Sequence, residues 1–197
     1  MLSVLIGVLH VINLERQDYL SFLSLKRNLI YHYPMQKTVY LAGGCFYGIQ
    51  SYFCQVKGVG SAICGYVNGT TAFPKHEDVL SGRADHLEAI KLDYEENVIS
   101  LPEILDHYLR IVDPYSSFHQ GDYKGHCYGL GIYYTDVLDG ITIVRYVDTH
   151  TKPGHYIDIR RFENFYPAEM KHQNYAQNHP SWNNPVDLSL LKEREKK

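Results

Sequence analysis

An α/β sandwich built on a mixed sheet is the fold class this sequence predicts, on three observations. Segments with strand alternation and segments with helical spacing follow one another along the chain. The 197 residues carry 45% hydrophobic and 21% charged side chains, as an ordinary globular protein with one sizeable core does. Several connections are long, which argues against a doubly wound parallel sheet.

Each element has its own reason. TVYLA (38–42) alternates and branches like a strand. From Phe46 the apolar positions 46, 49, 53 and 56 follow helical spacing, so Cys45 falls at the first turn of a helix. VGSAICGYV (59–67) reads as a strand, and PKHEDVLSG (74–82) as a short helix closed by Gly82. HLEAIKLDY (86–94) alternates again. SLPEILDHYLRIV (100–112) is a helix whose N-cap Ser100 and Glu103 form a capping box. A long loop, DPYSSFHQGDYKGHCYG (113–129), leads to the strand LGIYYT and then a helix over 136–148. HYIDIRRFENF (155–165) is expected as one strand and PAEMKHQNYAQN (167–178) as a helix ended by His179-Pro180.

The N-terminal stretch stands apart. MLSVLIGVLHVINL is apolar, but its 14 residues fall short of the ~20 that span a bilayer, and it lacks a basic n-region and a clear cleavage site. The organisation expected is an N-terminal extension over 1–34, then a single domain over 35–197 beginning near Met35 and ending in a polar tail. A rarely used upstream start, a loose extension and a cleaved or anchoring segment all remain readings of the leader. A net charge of −3 gives no reason to expect nucleic acid or an acidic membrane as partner. Four cysteines without a CxxC pair or scaffold spacing suit a reducing compartment, and eleven histidines without HxxxH spacing give no metal site.

Chemistry centres on GGCFYG. A thiol where two glycines end a strand and a helix begins meets free N–H groups and the positive helix end, which favour a thiolate. A buried packing role for Cys45 is an equal rival on this ground alone. Cys54 lies ~13 Å further along the same helix, too far to bridge, and packing is the default for it and for Cys64. His86 and Glu88 are two apart on a strand and share a face. Glu88 is either a surface residue or an acid whose pKa an apolar site raises until it can donate a proton. A thiol hydrolase, with His86 or His76 as base, and a sulfur-directed reductase both fit these residues.

Four segments in order resemble the methionine-S-sulfoxide reductase A family. GGCFYG is similar to its GCFWG signature, SGRADHLEA to SGxTGHAE, DPYSSFHQGDYKGHCYG to its DPTxxNRQGxDxGxQYRS loop, and FYPAEMKHQNY to FYxAEDYHQxY. The resemblance implies an α+β, ferredoxin-like fold with a mixed, mostly antiparallel sheet flanked by helices. It implies thiol-dependent reduction of methionine-S-sulfoxide, protein-bound and free, through a cysteine sulfenic acid. Cys45 then matches the nucleophile, Glu88 the acid and Tyr128 a tyrosine that binds the sulfoxide oxygen. Phe46 and Tyr47 match the aromatic pair around the methyl group, with Tyr where the family has Trp. His76 stands where the family has a second oxygen-binding tyrosine, Tyr123 where it has the loop aspartate, and Gly129 where it has arginine. No cysteine follows YAQNHP, so the resolving thiol is either external or Cys127. No bound cofactor is expected. A thioredoxin-type or other external thiol is the reductant, and a cytoplasmic monomer the expected form. A divergent, weakly active paralogue that binds methionine sulfoxide or protein is the alternative.

Overall fold

β1 (Gln36–Gly43) is the strand expected over 38–42, slightly extended. The computed structural model describes residues 35–197, so the expectation for 1–34 lies outside the described residues. Alternation in β1 sends Val39 and Leu41 to one buried cluster and Tyr40 and Ala42 to another on the opposite face. The chain turns out of β1 at Gly44, where φ is +84° and a Cβ would lie 2.6 Å from Gln120 Cβ. α1 (Phe46–Phe53) starts at once and buries Phe46, Ile49 and Phe53, the helical positions read from the sequence. β2 (Val59–Val67), α2 (His76–Leu80) and β3 (Leu87–Glu95) follow where their patterns place them. α3 (Leu101–Ile111) is opened by the expected capping box, with Ser100 N and Oγ donating to Glu103 Oε2 at 2.8 and 2.6 Å.

The loop after α3 is more ordered than its composition suggests. β4 (His119–Gln120) and β5 (Tyr123–Lys124) pair as a tight hairpin, and a 3-10 turn, His126–Tyr128, precedes β6 (Leu130–Tyr134). α4 (Val137–His150) is capped by Asp136, whose carboxylate accepts from the Leu138 and Asp139 N–H groups.

Two expectations are corrected. The single strand over 155–165 is two strands, β7 (Asp158–Arg161) and β8 (Phe165–Pro167), on opposite edges of the sheet. Between them the chain crosses a sheet face: Phe162 stacks on Tyr40 at 4.1 Å, and Asn68 Oδ1 accepts from Glu163 N and Asn164 N. The helix over 167–178 is a 3-10 turn, Met170–His172, and one helical turn, α5 (Tyr175–Asn178). Gln173 explains the break. Its side-chain amide accepts from Cys64 N at 3.0 Å and donates to Cys64 O and Ala168 O at 2.9 Å, extending the edge of β2.

The six strands run in the order β7-β6-β1-β3-β2-β8, antiparallel except for the parallel β6–β7 pair, so the fold is α+β. Residues of α1 and α3 bury one face with Leu41, Ile90 and Ile132, and the Tyr108 hydroxyl donates to Ala42 O at 2.7 Å. Pairing sets the site: Ala42 lies opposite Ala89, Gly43 opposite Leu130, and Tyr66 opposite Glu88. The end of β1, the starts of β3 and β6, and the N-terminus of α1 therefore meet at one end of the sheet. Among the described residues no helix is long and apolar enough to cross a membrane.

Candidate active site

Cys45 occupies the N-cap position of α1 and is 5% exposed, while Glu88 reaches the same helix end from β3 and is 1% exposed. The first N–H groups of α1 are divided between them. Phe46 N donates to Glu88 Oε2 at 3.1 Å, and Gly48 N donates to the carbonyl oxygen of Cys45 at 3.1 Å. Strand parity explains Glu88, because positions 88, 90 and 92 share the helix-covered face. Burial pushes its carboxyl up to about 8, against the opposite pull of the Phe46 N–H. Of the two sequence readings, the fold excludes the surface residue and selects the buried carboxyl with a raised pKa.

The thiolate expectation is corrected. The helix-end N–H groups and the Tyr123 hydroxyl do pull the Cys45 pKa down. Burial, followed by the Glu88 charge, outweighs them and pushes it up to about 12. At neutral pH the resting pair is a thiol beside a carboxylic acid.

Aromatic rings wall the pair. Phe46 is buried 4.9 Å from Tyr47 and stacks on His76 at 5.8 Å. Tyr47 stacks on Tyr175 at 4.2 Å, and its hydroxyl bonds to His172 Nδ1. His76 Nδ1 lies 3.8 Å from Glu88 Oε1, buried and without a hydrogen-bond partner, and burial lowers the His76 pKa so that the ring is neutral. Tyr123, from the β4–β5 hairpin, meets Tyr128 edge-on at 5.4 Å. Burial, then the nearby Glu88, raises the Tyr128 pKa, so its hydroxyl stays protonated.

Cys45, Glu88, Tyr128, Phe46, Tyr47, His76 and Tyr123 are thus gathered at one place. Cys127 is buried beside Tyr128 as a free thiol, pushed up to about 12 by burial. Cys64 is core, as expected, with its thiol donating to Phe46 O at 3.5 Å. His86 instead packs under Gly69 and edge-on to Tyr166 at 5.6 Å. Sequence reasoning missed Tyr66, Glu169, His172 and Trp182. Tyr66 donates to Glu169 Oε2 at 2.9 Å, Glu169 Oε1 accepts from His76 N at 3.4 Å, and the His172 ring lies 4.2 Å from that of His76. Parity with Cys64 on β2 was the available signal for Tyr66; Glu169 and His172 had none beyond their motif. Among the described residues no group of three or more His, Cys, Asp or Glu side chains could hold a metal ion.

Comparison with known proteins decides the family. The chain matches the family described as peptide methionine sulfoxide reductase over residues 37–197. It belongs to that family. The reductases named MsrA include one from Ureaplasma urealyticum, 38% identical over 163 residues that cover 81% of this chain and 99% of the relative. Another, from Mycoplasma genitalium, is 37% identical over 74% of this chain and 94% of its own length. Among solved structures, reduced Mxr1 from Saccharomyces cerevisiae superposes with a TM-score of 0.69 at 27% identity, covering 76% of this chain and 90% of that one. The methionine sulfoxide reductase A of Corynebacterium diphtheriae shares the fold, with a TM-score of 0.73 at 21% identity over 78% of this chain and 79% of its own. As a family member the chain is an oxidoreductase acting on a sulfur group.

Proposed function

We propose that this reductase converts methionine-S-sulfoxide, in oxidised proteins and as the free amino acid, to methionine at Cys45. The observation that carries the reading is the buried Glu88 carboxyl. Its pKa of about 8 keeps a proton available at neutral pH beside a thiol at a helix N-terminus. The substrate methyl group lies against Phe46 and Tyr47. The sulfoxide oxygen takes hydrogen bonds from Glu88, Tyr128 and His76, whose Nδ1 has no partner of its own. Glu88 gives its proton to that oxygen, which makes the sulfur electrophilic. Cys45 Sγ attacks the sulfur and its own proton passes to the Glu88 carboxylate. The S–O bond then breaks with transfer of the hydroxyl to Cys45. Two electrons leave the thiol sulfur: sulfoxide and Cys–SH become sulfide and Cys–SOH.

The sulfenic acid is returned to thiol by an external thiol of thioredoxin or similar type in the cytoplasm, directly or through Cys127. Mass spectrometry after one turnover without reductant separates the two routes. A Cys45–Cys127 disulfide supports the second, and a persistent sulfenic acid sinks it. The function itself is tested by assaying separated S and R epimers with dithiothreitol as reductant. Turnover confined to the S epimer and lost in Cys45→Ser is expected. Absence of turnover by the folded wild-type protein would refute the proposal.

A further inference from the structure

Beside the sulfoxide site lies a cavity of about 380 Å³, walled by two segments far apart in the chain. Gly121, Asp122 and Tyr123 come from the β4–β5 hairpin, and Trp182, Asn183 and Pro185 from the C-terminal segment. Both sets lean on residues of the reductase site. The Tyr123 ring meets Tyr128 edge-on at 5.4 Å, and the Trp182 ring meets Tyr47 edge-on at 5.7 Å. Tyr128 binds the sulfoxide oxygen and Tyr47 the methyl group in the reaction proposed above, so the cavity adjoins the place where the reacting sulfur is held.

Neither wall is loose. Gln120, the hairpin partner of Tyr123, rests on Gly44, with Oε1 accepting from Asp113 N at 2.8 Å and Nε2 donating to Asp113 O at 3.0 Å. On the other side, Trp182 N donates to His179 O at 2.9 Å, and the indole also meets Tyr175 edge-on at 5.7 Å. The residues that follow press on the first turn of α1: a Cβ on Gly48 would lie 3.0 Å from Asn184 Oδ1 and 3.2 Å from Pro185 Cγ. Preformed walls leave little ordering to be done when a ligand enters.

Asp122 is the one charged residue in the lining, and Trp182 and Tyr123 supply two aromatic rings of the kinds that attract cations best. A carboxylate with such rings suits a cationic side chain, whose aliphatic stem lies along the rings while its head meets the acid. The start of α1 would favour an anion, but its N–H groups are engaged, Phe46 N by Glu88 and Gly48 N by Cys45 O. We propose that the cavity is a specificity subsite: it takes the lysine or arginine side chain of a residue flanking methionine sulfoxide in an oxidised protein, with Asp122 and Trp182 as the residues that select it. Successive residues of an extended chain lie about 3.3–3.6 Å apart, so the flanking side chain reaches the cavity while the sulfoxide stays at Cys45. The inference rests on the reductase reading and deepens it by naming the substrate class, methionine sulfoxide in basic sequences.

Short acetylated peptide amides test this, carrying S-methionine sulfoxide next to lysine, norleucine or glutamate. The variable residue precedes the sulfoxide in one set and follows it in the other. In one of the two sets, wild-type kcat/KM for lysine should exceed that for norleucine about fivefold to thirtyfold, the range of a cation–π contact with an exposed ion pair, and glutamate should be poorest. Trp182→Leu should lower the lysine-to-norleucine ratio about threefold, and Asp122→Lys should bring it below one and make glutamate the best peptide. Each ratio compares two substrates on one protein, so a partial loss of folding cancels. A ratio of one in both sets, or a wild-type ratio retained in Asp122→Lys, overturns the proposal. Trp182 is the only tryptophan of the chain and reports binding without turnover. In Cys45→Ser its emission should respond to the lysine peptide at a fivefold or more lower concentration than to the norleucine peptide; equal midpoints overturn the proposal as well. Equal midpoints with S-epimer turnover intact in wild type remove the subsite and leave the reductase reading, whereas loss of that turnover with the binding difference intact removes the reading and not the subsite.

Discussion

Replacing Glu88 by Gln separates what the buried acid does for chemistry from what it does to stability. Burial lifts the carboxyl from the 4.5 of a free side chain to about 8 in the folded protein. The folded pKa lies above the unfolded one, so the unfolded chain releases this proton first as pH rises. Stability from this group is fully present below pH 4.5, is lost progressively between 4.5 and 8, and changes no further above that. At about 1.36 kcal/mol per pH unit the whole span amounts to up to about 5 kcal/mol. Glutamine keeps the planar shape, its Oε1 can still accept from Phe46 N, and it does not titrate. Urea unfolding at pH 5, 7 and 8.5 should therefore show wild type losing several kcal/mol that Glu88→Gln retains. The same variant should lower kcat about 10²- to 10⁴-fold, because the proton donor is gone. Parallel stability profiles for the two proteins would refute the claim that Glu88 is held neutral by burial. Unchanged kcat would show that the acid is another residue.

Three further outcomes follow from particular contacts. His76→Phe keeps the stack on Phe46 and removes the unpartnered Nδ1, so kcat/KM for the S epimer should fall about tenfold with little change in melting temperature; an unaltered kcat/KM would take His76 out of the oxygen site. Gln173→Leu leaves the Cys64 N–H without its side-chain acceptor and should cost about 1–3 kcal/mol in denaturant unfolding. Ser100→Ala removes one half of the capping box on α3 and should cost about 1 kcal/mol, read as a lower urea midpoint at unchanged m-value.

Local patterns made much of the fold legible. The Ser100 and Glu103 spacing opened α3 where it was read, and the alternation of TVYLA and HLEAIKLDY marked β1 and β3. Reading failed where a side chain far along the chain overrode local propensity. Gln173 extends the edge of β2 and breaks a segment with helical composition, while Phe162 on Tyr40 draws the chain across the sheet and divides a segment with strand composition.

The sequence by itself determined the four motifs, their order, and hence the family and the candidate residues for its chemistry. Only the tertiary structure decided the protonation of the central pair. Helix position predicted a lowered thiol at Cys45, yet its pKa is pushed up to about 12 because burial outweighs two backbone N–H groups and the Tyr123 hydroxyl. The same burial turns Glu88 from an ordinary strand carboxylate into an acid that keeps its proton to about pH 8. Tertiary structure likewise brought Trp182 and Tyr123, 59 positions earlier in the chain, to the wall of one cavity, where no spacing rule links the two. Periodicity records which face a residue takes. How much water is excluded there, and which distant donor arrives, depends on every element that packs around it.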